Sequence, residues 1–181
     1  MTAVATVAVP IAPAHTGPGW ALYCGDCAEV MAPLPAGSVD LIFADPPYNR
    51  SNGGTTCRSG KRASVNKGQW DRSQGFDADH AFHAAWLRAC RRVLAPHGTL
   101  WVSGTEHVIF MLGYELKRSG WHVLNVITWE KPNPPPNLGC RTLTESSELL
   151  IWAAPRRTKP LAHYFNYKAL KAGNGGKQLR D

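Results

Sequence analysis

The sequence predicts an α/β fold, with helices on both faces of a largely parallel sheet. Short apolar runs bounded by turn residues indicate strands that are buried on both faces. These runs alternate with amphipathic helical patterns, which is the order expected of an α/β domain. The chain has 181 residues, 44% of them hydrophobic and 18% charged, and this composition favours about one globular domain over a disordered chain.

The amino-terminal part is predicted to contain two strands. Residues 1–19 combine Pro, Ala and Gly without periodicity, so we expect a mobile tail before a domain at 20–181. A first strand is expected at Trp20–Cys24, followed by a short helical turn at Cys27–Met31. The run Ser38–Ala44 is apolar between turn residues and predicts a strand that is buried on both faces of a parallel sheet.

Residues 50–75 are expected to form a long loop. They combine Ser, Asn, Gly and Thr with six cations, and Asp71 is the one acid among them. A loop of this length inside a compact domain is usually either functional or disordered. Both alternatives stay open from the residues alone.

The carboxy-terminal part alternates helices and strands. A helix is predicted from Asp79, because apolar residues recur at three- and four-residue steps until Pro96-His97-Gly98 ends it. A second helix is expected at Val108–Lys117, with Gly120 as its carboxy-terminal cap. The strands expected here are Thr99–Val102, Trp121–Trp129 and Glu148–Ala153, the last two joined by a proline-rich loop at Lys131–Thr144.

Charge and cysteine content narrow the classes of partner and compartment. The net charge of +7 suggests a polyanionic partner, most simply nucleic acid. Five scattered cysteines favour a reduced, cytoplasmic chain over a disulfide framework. No run of eighteen apolar residues occurs, so no membrane span is expected.

Metal binding is not expected from the histidines and cysteines. Cys24-x-x-Cys27 has the spacing of half a zinc site, but the sequence has no second pair to complete four ligands. His80 and His83 have no carboxylates at ligand spacing, so we expect them to be solvated helix residues.

The tetrapeptide Asp45-Pro46-Pro47-Tyr48 is the most informative motif. It follows the strand that ends at Ala44, and ligands of open α/β sheets bind at the carboxyl ends of strands. Two prolines stiffen the segment and remove two backbone donors. A carboxylate, backbone carbonyls and an aromatic ring suit an exocyclic amine on a flat ring, which would stack on Tyr48. A rigid turn with Asp45 as a cap is equally compatible with these four residues.

Beyond this motif, the chain resembles the amino-group DNA methyltransferases, and within them the N6-adenine enzymes of the β type. The resemblance spans about residues 20–181. The stretch 38–49, SVDLIFADPPYN, resembles their catalytic motif. Further similar segments lie at 25–27, 92–102, 127–137, 148–153 and 163–174.

The resemblance implies transfer of a methyl group from S-adenosylmethionine to the N6 amine of an adenine turned out of double-stranded DNA. Asp45 and the Pro46 carbonyl would orient the amine, while Pro47 stiffens the motif and Tyr48 stacks on the base. Asp26, the backbone at Cys27, and Asp45 would contact the cofactor. The residues expected on DNA are Asn49, Arg50, Arg58, Lys61, Arg62 and Lys67 before the first long helix, and Asn133, Asn137 and Arg141 in the proline-rich loop.

One element of the family is missing from the residues given. The β-type order places a glycine-rich cofactor segment after the catalytic motif, and no segment here matches it. We therefore expect an incomplete Rossmann-like sheet, completed by a second polypeptide that carries this segment, or a truncated remnant. Two alternatives to an adenine enzyme remain: a non-catalytic DNA-binding remnant or subunit, and a cytosine-N4 methyltransferase.

Overall fold

The computed structural model describes residues 11–180, so most of the expected tail, residues 1–10, lies outside the described residues. The described part holds four helices and eight strands. The helices are α1 (Cys27–Met31), α2 (Phe76–Val93), α3 (Ile109–Arg118) and α4 (Tyr167–Gly173). The strands are β1 (His15–Gly17), β2 (Trp20–Leu22), β3 (Val39–Ala44), β4 (Thr55–Arg58), β5 (Lys61–Ser64), β6 (Leu94–Gly104), β7 (His122–Glu130) and β8 (Ser147–Ala154).

The main sheet has four strands in the order β3-β6-β8-β7. Strands β3 and β6 are parallel, whereas β8 runs antiparallel to both of its neighbours. The expectation of a largely parallel sheet is therefore wrong for two of the three pairings, although the α/β class is confirmed. The connections between the strands explain the directions. Helix α2 lies between β3 and β6 and provides the crossover that a parallel pair needs, whereas β7 and β8 are joined by an irregular loop without a crossover helix, so the chain reverses direction.

The core lies between the sheet and the two long helices. Leu100 and Val102 of β6 and Ile151 of β8 pack in one cluster with Leu87 of α2 and Leu112 of α3. Alternate residues of β6 and β8 face the opposite side of the sheet, where the Trp101 and Trp152 rings stack at a centroid distance of 5.0 Å. His163 and Phe165, which precede α4, contact Trp152 on that side.

The first predicted strand does not join the main sheet. Trp20–Leu22 pairs instead with His15–Gly17 in a separate antiparallel hairpin. The prediction of an irregular tail up to residue 19 is thus wrong for residues 15–17. Gly19 has φ +80°, which glycine adopts readily, and it supplies the tight turn between the two strands.

The basic segment 50–75 contains secondary structure that the sequence analysis missed. Strands β4 and β5 form an antiparallel hairpin in which Arg58 pairs with Lys61. The two residues between them, Ser59 and Gly60, have φ values of +51° and +75°. Positive φ at both central positions suits a tight two-residue hairpin, because its twist matches that of the strands.

The first long helix and the strand after it are both longer than expected. Helix α2 begins at Phe76 rather than Asp79, and β6 begins at Leu94, before Pro96-His97-Gly98. A shift in register between Val39 and Leu41 accommodates this irregular stretch. The predicted cap at Gly120 is confirmed: its φ is +80°, and the Trp121 amide donates to the Leu116 carbonyl beyond it.

His83 is a core residue, so the expectation that it is solvated is wrong. Its side chain is fully buried in α2, and Nδ1 accepts a hydrogen bond of 3.0 Å from Trp86 Nε1. Burial lowers the pKa of His83 to about 4, a shift that the Asp79 carboxylate partly opposes. The neutral imidazole is therefore the form that the folded protein accommodates.

We predict that the stability of the chain falls as the pH drops from about 6.5 to about 4, because the unfolded chain protonates His83 in this window while the folded chain does not. The cost by pH 4 is about 3 kcal/mol. His83→Gln should flatten this part of the profile, since glutamine keeps an acceptor for Trp86 but does not titrate. The free energy of unfolding at each pH is measured by urea denaturation, with tryptophan fluorescence as the signal. An equally steep decline in the variant would contradict the assignment of this pH dependence to His83.

Candidate active site

Asp45 lies at the carboxyl end of β3, beside the end of the parallel strand β6. Its Oδ1 accepts two hydrogen bonds, at 2.6 Å from Ser103 Oγ and at 2.8 Å from the Tyr48 hydroxyl. Within residues 11–180, no hydrogen bond to Oδ2 is described, and the residue is exposed. The carboxylate is therefore held by one oxygen, and the other is left without a described partner on an exposed residue.

Pro46 and Pro47 continue from Asp45 and are half-buried. Neither has a backbone N–H to donate, so this part of the chain offers only carbonyl oxygens. No described residue in 11–180 donates a hydrogen bond to the Pro46 carbonyl. An acceptor carboxylate and an acceptor carbonyl thus follow one another at the sheet edge.

Tyr48 is more enclosed than a freely stacking ring would be. It is 9% exposed and belongs to the core cluster. Its hydroxyl lies between two carboxylates, 2.8 Å from Asp45 Oδ1 and 3.4 Å from Glu148 Oε2. Burial, supported by the Asp45 carboxylate, raises the pKa of Tyr48 above its usual value, so the phenol stays protonated as a donor. The Lys67 ammonium lies 5.6 Å from the ring centroid.

Three residues that sequence reasoning did not assign to the site support this motif. Ser103, on β6, donates a hydrogen bond to Asp45. Glu148, on β8, forms an ion pair with Lys131, the first residue of the proline-rich loop. Asp71, fully buried, accepts hydrogen bonds from the Tyr48 and Asn49 amides at 3.0 Å each. The position of Ser103, at the carboxyl end of the strand parallel to β3, is a signal that could have revealed it.

The structure gives Asp26 and Cys27 a local role. Asp26 caps α1, since its Oδ1 accepts hydrogen bonds from the Ala28 and Glu29 amides at 2.8 and 3.2 Å. Cys27 begins that helix, and burial of its thiol raises its pKa. The described hydrogen bonds do not connect either residue to Asp45.

In the described part of the chain, no cluster of three or more His, Cys, Asp or Glu residues could hold a metal ion.

The basic hairpin β4–β5 and the proline-rich loop enclose a cavity of about 260 Å³. Of the residues predicted to contact DNA, Arg50, Arg62 and Asn137 line it. Arg50 bridges its two sides through an ion pair of 3.5 Å with Glu145. The side-chain amide of Asn137 bonds to Thr142 within the proline-rich loop, so it shapes that loop.

The other predicted DNA-contacting residues lie outside this cavity. Asn49 borders a second cavity of about 380 Å³, beside Phe76 and Phe110. Arg58 and Lys61 are exposed at the tip of the hairpin, and Lys67 lies over Tyr48. Asn133 and Arg141 are exposed on the proline-rich loop. No helix in the described range 11–180 is long and apolar enough to cross a membrane.

Curated relatives match most of this chain. It is 46% identical over 160 residues to the type II methyltransferase M2.MboI of Moraxella bovis, which covers 88% of this chain and 58% of the relative. It is 44% identical over 156 residues to the type II methyltransferase M2.DpnII of Streptococcus pneumoniae, covering 86% and 58% of the two chains. The chain thus spans less than two thirds of the length of the relatives it matches.

Solved structures agree with the fold. A Thermus thermophilus protein described as a DNA modification methylase aligns with a TM-score of 0.54 at 18% identity, covering 86% of this chain and 58% of the other. The PvuII DNA methyltransferase, which is cytosine-N4-specific, also gives 0.54 at 16% identity, with 79% and 51% covered. At this identity the likeness establishes the Rossmann-like methyltransferase fold alone. The family model described as DNA methylase, N6_N4_Mtase, matches residues 39–181, and the chain belongs to this family.

Proposed function

We propose that this chain provides the target-base side of an adenine-N6 DNA methyltransferase that uses S-adenosylmethionine. The observation that carries the proposal is the state of Asp45: Oδ1 is held by two hydroxyl groups, and Oδ2 accepts no described hydrogen bond on an exposed residue at the carboxyl end of β3. Oδ2 and the adjacent Pro46 carbonyl can each accept one hydrogen of an exocyclic amine. Asp at position 45, where serine is the other choice for such pockets, favours adenine over cytosine.

The chain's own residues orient the amine and accept its charge. S-adenosylmethionine, when bound, supplies the methyl group. Hydrogen bonds from the amine to Asp45 Oδ2 and to the Pro46 carbonyl would fix the orientation of the nitrogen and its lone pair. Transfer of the methyl group from the sulfonium sulfur to this nitrogen would leave the amine positively charged, and the Asp45 carboxylate would stabilise that charge and accept at Oδ2 the proton that the nitrogen loses. Ser103 and Tyr48 keep the carboxylate in place throughout.

The groups proposed for the cofactor fit it in part. Asp26 keeps Oδ2 beyond its capping bonds, whereas Asp45, whose Oδ2 is proposed to bind the amine, would act on a cationic group of the cofactor through its charge alone. Both side chains are exposed, so a ligand can reach them. Cys27 offers its backbone at the first residue of α1. These residues hold only one side of a ligand, and the glycine-rich segment would supply the rest.

Duplex DNA is proposed to lie across the hairpin β4–β5 and the proline-rich loop. Arg58, Lys61 and Arg62 are exposed on the hairpin, where they can neutralise phosphates. Arg50 and Lys131 line the cavity between the two segments. The adenine would leave the duplex to reach Asp45, at a cost of a few kcal/mol, partly recovered by contacts with its edge.

The open edge of β3 supports a second polypeptide as partner. Strand β3 pairs only with β6 among the described strands, so its other edge has free backbone donors and acceptors. Leu41 and Phe43 on this strand are each 60% exposed. We propose that a strand of the polypeptide carrying the glycine-rich segment pairs here.

The five free cysteines support a cytoplasmic location.

The main test is complementation. We predict that the chain, co-expressed with the part of M2.MboI outside the match, transfers labelled methyl groups from S-adenosylmethionine to duplex DNA. Asp45→Ala should reduce the rate by about 100-fold or more, because it removes the acceptor of the amine. Asp40→Ala is the matched control: Asp40 lies on the same strand, near its other end, and pairs with exposed His97.

The modified nucleoside separates the alternatives. N6-methyladenine supports the proposal, and N4-methylcytosine would establish the cytosine enzyme instead. DNA binding without any transfer, in the presence of a folded complex of the two polypeptides, would favour the non-catalytic subunit. An Asp45→Ala variant as active as Asp40→Ala would remove Asp45 from the mechanism.

We also predict that the chain alone binds S-adenosylmethionine weakly, with a dissociation constant above about 100 µM. The reason is that Asp26, Cys27 and Asp45 would hold only part of the ligand, and the glycine-rich segment would have to hold the rest. Isothermal titration calorimetry measures this affinity. A low-micromolar constant without any partner would show that a second polypeptide is not needed for the cofactor.

A further inference from the structure

Asp71 is a buried acid whose side-chain hydrogen bonds all reach one short segment, residues 48–51. It ends a 3-10 turn at Gln69–Asp71 and is 0% exposed. Its Oδ1 accepts from the Tyr48 and Asn49 amides at 3.0 Å, and Oδ2 accepts from Ser51 Oγ at 2.7 Å. Its main-chain carbonyl accepts from the Ser51 amide at 3.1 Å. Because a buried carboxylate is costly unless its oxygens are paired, these bonds hold the segment firmly.

These bonds close the neck of the basic hairpin. Ser51 Oγ also accepts from the Lys67 amide at 2.9 Å, and Asn52 Nδ2 donates to the Ser73 carbonyl at 3.3 Å. The two legs of the hairpin, 48–52 and 67–73, are therefore joined just before β4 and just after β5. The neck begins at Tyr48, the last residue of the motif that contains Asp45.

The backbone at the neck makes a left-handed turn at Asn49. Its φ is +56°, in a region that asparagine adopts more readily than other non-glycine residues. This turn directs the chain from the motif into the hairpin. The bond from the Asn49 amide to Asp71 stabilises it.

We propose that Asp71 is a positioning residue, which holds the Asp45–Tyr48 motif and the basic hairpin in one fixed relation. The role as it bears on DNA rests on the proposed function. Through the Tyr48 amide, Asp71 sets the ring and hydroxyl that hold Asp45. Through Ser51 and Asn49, it sets the direction in which the hairpin that carries Arg58, Lys61 and Arg62 projects from the site. The base and the phosphates of one DNA molecule would then meet groups that are already aligned.

The first arm of the test uses amide hydrogen exchange on the chain itself. Asp71→Ala should speed exchange of the Tyr48 and Asn49 amides by about tenfold, since each loses a hydrogen bond to a charged group. Asp71→Asn should stay close to wild type, because its amide oxygen still accepts from both. Asp79→Ala is the control: this carboxylate bonds Ser73, at the far end of the neck, and Gln74, and it accepts no described hydrogen bond from residues 48–51.

The second arm measures the affinity for a fluorescein-labelled duplex. Asp71→Ala should weaken binding about fivefold through the lost order of the hairpin, and Asp71→Asn should restore most of it. Wild-type exchange at Tyr48 and Asn49 in Asp71→Ala, or equal effects in Asp79→Ala, would overturn the proposal. So would an Asp71→Asn variant that behaves like Asp71→Ala. If the wild-type chain does not bind the duplex, the DNA part of the proposed function fails, while the exchange arm still decides the role of Asp71.

Discussion

The hydrogen bonds that Ser103 and Tyr48 donate to one oxygen of Asp45 are the interaction on which the candidate site depends. A free aspartate at a strand end rotates about its side-chain bonds and binds water. Here two hydroxyl groups, one from the neighbouring strand and one from the motif itself, fix one oxygen of the carboxylate and leave the second oxygen without a described partner. Preorganisation of this kind avoids reorganisation at the moment of reaction, which is the main source of electrostatic catalysis.

Each donor is in turn held by more distant parts of the chain. Ser103 is buried at the end of β6, next to β3 in the only parallel pair of the described sheet. Tyr48 is held through its amide by Asp71, and its hydroxyl lies near Glu148, which Lys131 neutralises. The sheet and both long loops therefore converge on one carboxylate.

The sequence allowed prediction of the parts that depend on local pattern. The run Ser38–Ala44 contains β3 and leaves Asp45 at its carboxyl end, because an apolar run bounded by turn residues needs no distant information. Its predicted burial on both faces is wrong for the described residues, since β3 is an edge strand of the described sheet and Leu41 and Phe43 are each 60% exposed. Helices α2 and α3 follow from apolar periodicity in the same way. The insertion of β8 between β6 and β7, the burial of His83 and the contacts of Asp71 could not be predicted, since they depend on partners far away in sequence. The hairpin turn at Ser59-Gly60 carried a local signal that was missed.

The most direct test of this account is the rate of methyl transfer by the Ser103→Ala variant of this chain, assayed together with the complementing polypeptide. The variant keeps Asp45 and its chemistry but removes the hydroxyl that aims the carboxylate. We expect kcat to fall about tenfold, with the KM for DNA little changed, since one hydrogen bond to a charged group is lost in the transition state. A kcat equal to that of the wild type would contradict the claim that the held carboxylate is the acceptor of the amine.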